Sequence, residues 1–154
     1  MINLASPVLA DSTKPVKKDV NDIYPGNPVK LNTDGELERA KGAVKVYGIS
    51  WTPHNQYESM AYGSYGAFGS FRLLVIKSGI AQLYPDTYDK GEGESVTIDL
   101  WDTSVETAVP QTELYVDDNG LITTNNANSV SKWGEVNLSP SVNGGILEVT
   151  VKCG

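Results

Sequence analysis

Nucleophilic catalysis by serine or cysteine needs a base beside the nucleophile, and this chain contains one histidine, His54. The single cysteine, Cys153, lies at the far end of the chain, and no serine stands in a nucleophile-elbow motif. His54 itself lies in the loop-like segment WTPHNQYE, which is typical of a solvated side chain. The sequence therefore predicts no nucleophilic active site.

Acidic residues could act in pairs, as in glycoside hydrolases, or could bind calcium. Most of them lie in turn-like segments such as PDTYDKGEGE (85–94) or on the outward face of a strand. Neither this segment nor DDNG (117–120) has the alternating ligands and the closing glutamate of a calcium loop. We therefore expect a protein that is not an enzyme and that holds no metal and no cofactor.

The segment SMAYGSYGAFGSF (59–71) combines aromatic residues with glycines at a spacing of three. A helix is disfavoured because each interior glycine would cost about 1 kcal/mol relative to alanine. Three interpretations stay open: a loop folded over one end of a barrel, a protein–protein contact, or a platform on which sugar rings stack. Residues 47–71, which we call the aromatic segment, contain this stretch and the aromatic residues just before it. The aromatic residues of the segment are Tyr47, Trp51, Tyr57, Tyr62, Tyr65, Phe68 and Phe71.

Composition limits the classes of partner. The chain has 154 residues and a net charge of −7, so it lacks the basic surface with which proteins bind nucleic acid. Its apolar runs are too short to span a bilayer. One cysteine permits no intrachain disulfide, which suits synthesis in a reducing cytoplasm. We expect no nucleic acid and no membrane as partner.

From residue 28 onward the sequence alternates apolar and polar residues in short runs separated by turn signals. Asp34-Gly35 and Asn119-Gly120 predict two hairpins, Ser78-Gly79 predicts a further turn, and GGILEVTVKC predicts a closing strand. The pattern predicts an all-β fold, a single compact β-barrel or sandwich of short antiparallel strands over residues 26–154. Residues 1–25 show no period and predict an extended N-terminal arm.

The two hairpins also resemble each other. When VKLNTDGELERA (29–40) is aligned with LYVDDNGLITTN (114–125), the apolar and turn positions coincide. A glycine follows each hairpin at a similar distance, Gly48 in the first case and Gly134 in the second. The sequence therefore predicts two similar halves of one barrel.

Three stretches carry a resemblance to a known family: GNPVKLNTDGELERAKGAVKVYGIS, TELYVDDNGLITTNNANSVSKWGEV and the closing GGILEVTVKCG. Together they resemble the decoration, or cement, proteins of tailed-bacteriophage capsids over about residues 24–154. The shared features are a Gly-x-Pro/Leu-Val start, a D/N-G turn, an LYV…GLIT hairpin and a final strand. VPQTE, before the second hairpin, departs from the glycine-aspartate of that pattern.

The resemblance implies a non-enzymatic virion structural protein on the outer capsid surface, made in the host cytoplasm. It implies the major capsid protein as partner and a homo-oligomer, a trimer, as the state on the head. The alternative is a carbohydrate-binding module or receptor-binding tip that uses the aromatic residues as its platform. The predicted partner-binding residues are Val16, Val20, Ile23 and Tyr24 of the arm and Trp51, Tyr57, Tyr62, Tyr65 and Phe68 of the aromatic segment.

Overall fold

The structure, a computed structural model, describes residues 2–18, 20, 22–51, 54–55, 73–91 and 93–154. Over these residues the fold is all-β, as the alternating pattern predicts, with short 3₁₀ helices at Thr103–Val105, Asn126–Ser131 and Pro140–Val142. The strands are β1 (Ile2–Leu4), β2 (Leu9–Asp11), β3 (Asp22–Ile23), β4 (Pro28–Leu31), β5 (Leu37–Arg39), β6 (Gly48–Ser50), β7 (His54–Asn55), β8 (Val75–Leu83), β9 (Asp86–Gly91), β10 (Glu94–Ile98), β11 (Glu113–Val116), β12 (Ile122–Thr123), β13 (Gly134–Leu138) and β14 (Leu147–Lys152).

Ten of these strands form one antiparallel sheet that curls into a half-barrel. The order is β12-β11-β13-β14-β8-β6-β4-β5, and β1 and β2 also pair with β8. The two ends of this order meet through their loops. The N–H of Gly42 donates to the carbonyl of Asp117 at 2.8 Å, and Nη2 of Arg39 donates to the carbonyl of Gly120 at 3.4 Å. The loop after β5 thus lies against the turn after β11, which holds the curl of the sheet.

The two predicted hairpins have the same turn, hydrogen bond for hydrogen bond. Oδ1 of Asn32 accepts the backbone N–H groups two and four positions ahead, both at 2.9 Å. Oδ1 of Asp117 does the same at 2.8 and 2.9 Å. Gly35 and Gly120 each donate their N–H to the carbonyl of that residue at 3.1 Å. In both turns a short polar side chain replaces backbone partners, which is the usual function of Asn and Asp in turns.

The equivalence continues into the strands that follow. β6 pairs with β4 and β13 pairs with β11, with Gly48 and Gly134 at corresponding register positions. A Cβ atom at Gly48 would lie 2.5 Å from the carbonyl oxygen of Ile76 in β8. A Cβ atom at Gly134 would lie 2.4 Å from the carbonyl oxygen of Thr150 in β14. The predicted repeat is confirmed: β4, β5, β6 and β8 form a first half, and β11, β12, β13 and β14 form a second half.

The N-terminal residues belong to the sheet. β1 pairs with residues 81–83 of β8, which also pair with β14, and β2 pairs with residues 75–76, which also pair with β6. A strand has two edges, so at both positions β8 is paired on both sides. The described part of residues 1–25 is extended, as predicted, but it lies within the same sheet and core instead of forming an arm outside a domain that begins at residue 26.

A second difference concerns β8, where Ser78-Gly79 predicts a turn. The strand runs without interruption from Val75 to Leu83, with Gly79 in its middle at a φ of +121°. A Cβ atom there would lie 2.7 Å from Cγ1 of Val8 and 2.9 Å from the carbonyl oxygen of Pro7. The glycine is required because the N-terminal chain approaches β8 closely, and not because the chain reverses.

Two apolar clusters fill the interior. The larger lies mainly under the second half and β8 and includes Trp133, Leu83 and Leu147, all almost fully buried. The smaller lies under the first hairpin and combines Val29, Leu37, Leu73 and Val75 with residues of the N-terminal segment. On the closing strand Leu147, Val149 and Val151 are buried and the alternate residues are more exposed, as the period of two predicts.

Candidate partner-binding surfaces

The predicted contact residues of the N-terminal segment lie mostly inside the molecule. Val16, Ile23 and Tyr24 are buried, and Ile23 has no exposed surface. Val16 and Ile23 belong to the smaller apolar cluster, and Val20 packs against it while half-buried. These side chains therefore stabilise the fold of the chain itself, and their assignment to a partner contact stays a prediction.

A polar network fastens the same segment to the sheet. The hydroxyl of Tyr47 donates to the carboxylate of Asp11, and the N–H and Oγ1 of Thr13 donate to Oδ1 of Asp11 at 2.9 and 2.7 Å. Chiefly because of the Tyr47 hydrogen bond, the pKa of Asp11 is lowered to about 2. Burial and the bond to Asp11 raise the pKa of Tyr47 to about 12. The ammonium of Lys77 lies 3.4 Å from the centre of the Tyr47 ring, a cation–π contact.

Of the predicted contact residues in the aromatic segment, Trp51 is described. It is half-buried and packs against the larger apolar cluster, and its N–H donates to the carbonyl of Leu74 at 2.8 Å. Tyr57, Tyr62, Tyr65 and Phe68 lie outside the described residues, so their assignment to a partner contact stays a prediction. Trp51 combines a packing function with one partly exposed face.

An acidic depression lies beside the second hairpin, next to the segment DDNG (117–120). Its carboxylates already act as acceptors within the chain. Oδ1 of Asp102 accepts the N–H of Ser104 at 3.0 Å, and Oδ1 of Asp118 accepts Nδ2 of Asn128 at 3.1 Å. Asp117 is engaged in the hairpin turn. The described residues of the chain contain no group of three or more His, Cys, Asp and Glu side chains that could hold a metal ion.

Cys153 lies at the end of β14, where its Sγ contacts the carbonyl oxygen of Trp133 at 3.6 Å. Burial raises the pKa of this thiol to about 11. The thiolate is the reactive form, so the folded protein holds Cys153 in its unreactive form at neutral pH.

Each half of the repeat contains a turn directly before its first hairpin strand, and the two turns can be compared. Residues 24–27 (YPGN) and 109–112 (VPQT) precede the first strand of each hairpin and make matching bonds. The N–H of Asn27 donates to the carbonyl of Tyr24 at 3.0 Å, and that of Thr112 donates to the carbonyl of Val109 at 3.2 Å. Gly26 has a φ of +96°, and Gln111, at the matching position, has a φ of +71°. VPQT, where the sequence departs from the family pattern, thus forms the same turn as YPGN.

The environments of these two turns are opposite. All four residues of 24–27 are buried, and the side chains of Leu100 and Leu83 lie 3.0 and 3.7 Å from the position of a Cβ atom at Gly26. In the second half Val109, Pro110 and Gln111 are all exposed. Val109 is 69% exposed.

Two more exposed apolar side chains lie at the same end of the second half. Val142 is 74% exposed and Leu138 is 39% exposed. The N–H of Ser141 donates to the carbonyl of Glu106 at 3.0 Å, and that of Gln111 donates to the carbonyl of Val136 at 2.7 Å. These bonds place the loop before β11 beside the loop before β14. We call the exposed residues Val109, Pro110, Gln111, Leu138, Ser141 and Val142 the apolar end, and the exposed charged residue Glu106 borders it.

The segments that contain the exposed valines of the apolar end are poor in charge. Residues 107–112 and 136–147 contain no charged residue, although 20% of the chain is charged. Residues 119–131 are likewise uncharged and contain Val130, which is 56% exposed, so lack of charge alone does not distinguish one surface. The connection between the two segments needs the fold, since they are separated by β11, β12 and part of β13.

No protein-family model matches the chain, and comparisons with curated proteins and with solved structures find no match. None of the described helices is long and apolar enough to cross a membrane.

Proposed function

We propose that this protein is a non-enzymatic structural protein of a tailed-phage virion that binds the outer surface of the capsid and stabilises the head. The observation that carries the proposal is that the stretches which resemble decoration proteins form strands of the main sheet. The stretches that resemble decoration proteins are the two hairpin-and-strand units and the closing strand β14, which supply seven of the ten strands of the main sheet. The resemblance therefore concerns the elements that define the fold and not an isolated loop.

The charge of the chain supports an outer position. With a net charge of −7 the protein is repelled by packaged DNA and by other acidic surfaces. On the outside of the shell the protein is separated from the packaged DNA. It is not repelled by the capsid if the capsid surface that it binds is neutral or basic. The partner in this proposal is the major capsid protein.

Stabilisation of the head follows from mass action. A protein that binds the assembled lattice and not its free subunits shifts the equilibrium toward the assembled form. The contact surface in this proposal includes the exposed face of Trp51 and the aromatic residues Tyr57, Tyr62, Tyr65 and Phe68.

The test is co-sedimentation of the purified protein with undecorated capsids assembled from the major capsid protein encoded in the same genome. We expect saturable binding at a fixed number of copies per capsid and a higher temperature of capsid disruption. Tyr62→Ala and Tyr65→Ala should weaken binding, whereas Val130→Ala, at an exposed position of the second half, should not. A protein that neither sediments with capsids nor changes their stability refutes the proposal, and a glycan array would then test the sugar-platform alternative.

A further inference from the structure

We propose that Asn143 is a site of covalent modification, at which the side-chain amide is lost through a succinimide formed with the backbone nitrogen of Gly144. Asparagine is a labile residue, and a following glycine favours this reaction because it has no side chain to block the approach of its nitrogen. The chain contains two such pairs, Asn119-Gly120 and Asn143-Gly144. Their surroundings in the fold distinguish them, and the inference does not depend on capsid binding.

The reaction needs water and neither a cofactor nor an oxidant. The nitrogen of Gly144 attacks the side-chain carbonyl carbon of Asn143 and forms a new C–N bond. The proton of that N–H passes to solvent, and the amide nitrogen of Asn143 takes a proton from solvent and leaves as ammonia. Water then opens the succinimide ring at either carbonyl, which gives aspartate or isoaspartate. The net change replaces an amide by a carboxylate and adds one negative charge.

At Asn119 the attacking nitrogen is held in the turn of the second hairpin. The N–H of Gly120 donates to the carbonyl of Asp117 at 3.1 Å, and the carbonyl of Gly120 accepts Nη2 of Arg39 at 3.4 Å. Gly120 is buried, and a Cβ atom there would lie 2.8 Å from Nε of Arg39. The peptide between Asn119 and Gly120 can therefore rotate toward the Asn119 side chain only when the turn opens and loses both bonds.

At Asn143 the attacking nitrogen is unbonded and exposed. Within the described residues the N–H of Gly144 donates to no partner, whereas those of Asn143 and Gly145 donate to the carbonyl of Pro140 at 3.3 and 2.8 Å. Both glycines are exposed, and apart from their chain neighbours no atom lies within 4 Å of a Cβ atom built at either. Attack requires rotation about ψ of Asn143, which is 31°. Two successive glycines in open space permit that rotation by a local opening of the loop.

The product would disturb the start of β14. Nδ2 of Asn143 donates to the carbonyl of Ile146 at 3.1 Å. A carboxylate at this position can only accept hydrogen bonds, so two oxygens without a proton between them would face each other. Isoaspartate also lengthens the main chain of the loop. The modified protein therefore has a looser connection between β13 and β14 and a more negative surface beside Val142.

The test is peptide mapping by mass spectrometry during storage of the full chain at mildly alkaline pH, once folded and once unfolded in urea. The unfolded chain gives the intrinsic rate of each asparagine-glycine pair. We expect folding to slow the reaction of Asn119 at least about tenfold more than that of Asn143, since the hairpin turn must open before attack. Equal protection of the two sites by folding, or stronger protection of Asn143, overturns the proposal.

A matched pair of variants gives a second readout, the acidic species that native isoelectric focusing detects in the stored, folded protein. Asn143→Ser should abolish the first acidic species to accumulate, and Asn119→Ser should retain it. Denaturant unfolding shows whether the variants fold, and the peptide maps of the wild-type chain decide alone if Asn143→Ser does not. An acidic species that persists in Asn143→Ser and disappears in Asn119→Ser refutes the assignment.

Discussion

Deletion of residues 1–24 should unfold this protein. Ile2, Val16 and Ile23 are buried, and burial of an aliphatic side chain of this size contributes roughly 1.5–3 kcal/mol. These three side chains alone account for roughly 4.5–9 kcal/mol, and Tyr24 adds a buried ring. The whole free energy of unfolding of a domain is about 5–15 kcal/mol. The deletion also removes β1 and β2 from the edges of β8. We therefore expect the truncated chain to lack a cooperative unfolding transition.

The assay is urea unfolding followed by tryptophan fluorescence and far-UV circular dichroism, with two point variants for scale. Ile23→Ala, at a fully buried site, should cost roughly 2–5 kcal/mol. Leu9→Ala, at a side chain that is 58% exposed, should stay within about 0.5 kcal/mol of the wild type. A truncated chain that unfolds cooperatively with the wild-type free energy would show that the N-terminal segment is an independent arm and that our account of its burial is wrong. The same result decides how capsid binding is tested, because loss of binding by an unfolded truncation says nothing about contact residues.

Three further predictions follow from individual contacts. Gly48→Ala and Gly134→Ala should each destabilise the fold by about 1–3 kcal/mol, measured by denaturant unfolding, because a Cβ atom would lie within 2.5 Å of a backbone oxygen on the next strand; a change below about 0.5 kcal/mol would contradict the register of β6–β8 or β13–β14. The folded state lowers the pKa of Asp11 from 3.8 to about 2, so its contribution to stability is complete above pH 3.8 and is lost as the pH falls toward about 2. Asp11→Asn should therefore be less stable than the wild type at neutral pH, and the difference in unfolding free energy should shrink as the pH falls from 3.8 to about 2, as measured by unfolding at several pH values. A difference in unfolding free energy that is independent of pH would exclude the Tyr47–Asp11 bond as its source. Cys153, whose pKa is raised to about 11, should react slowly with iodoacetamide at neutral pH and rapidly after unfolding, as followed by mass spectrometry; equal rates in both states would mean that the thiol is not buried.

Local signals in the sequence were sufficient for the hairpins and for the repeat. Asp34-Gly35 and Asn119-Gly120 each form the predicted turn, and the aligned positions Asn32 and Asp117 make the same two side-chain bonds. These contacts join residues close in sequence, so the pattern of residue types contains the information. The period of two over residues 147–151 predicted the buried face of β14 for the same reason.

Features that depend on distant parts of the chain could not be predicted in this way. β1 and β2 are each three residues long, which is too short to show a period of two in the sequence. They are strands because both pair with β8. The residues Ser78-Gly79 are compatible with a turn and also with a strand that another segment approaches closely. The sequence around them does not show which of the two forms, because the glycine is required by the position of Val8, far away in the chain. Burial of Val16 and Ile23 likewise depends on the cluster around Leu37 and Leu73.

The two halves show which features the common framework requires. Both halves share the turns, the hairpins and the glycine-containing third strand, so the differences between them are not required by the common framework. Two differences are prominent: the connection from the third to the fourth strand, residues 51–74 in one half and 139–146 in the other, and the exposure of the turn before the hairpin. In the first half that turn is part of the interior, whereas in the second half it is exposed and lies beside the loop that contains Val142. The same turn therefore forms with and without burial, so its hydrogen bond and its positive φ do not depend on side chains that cover it.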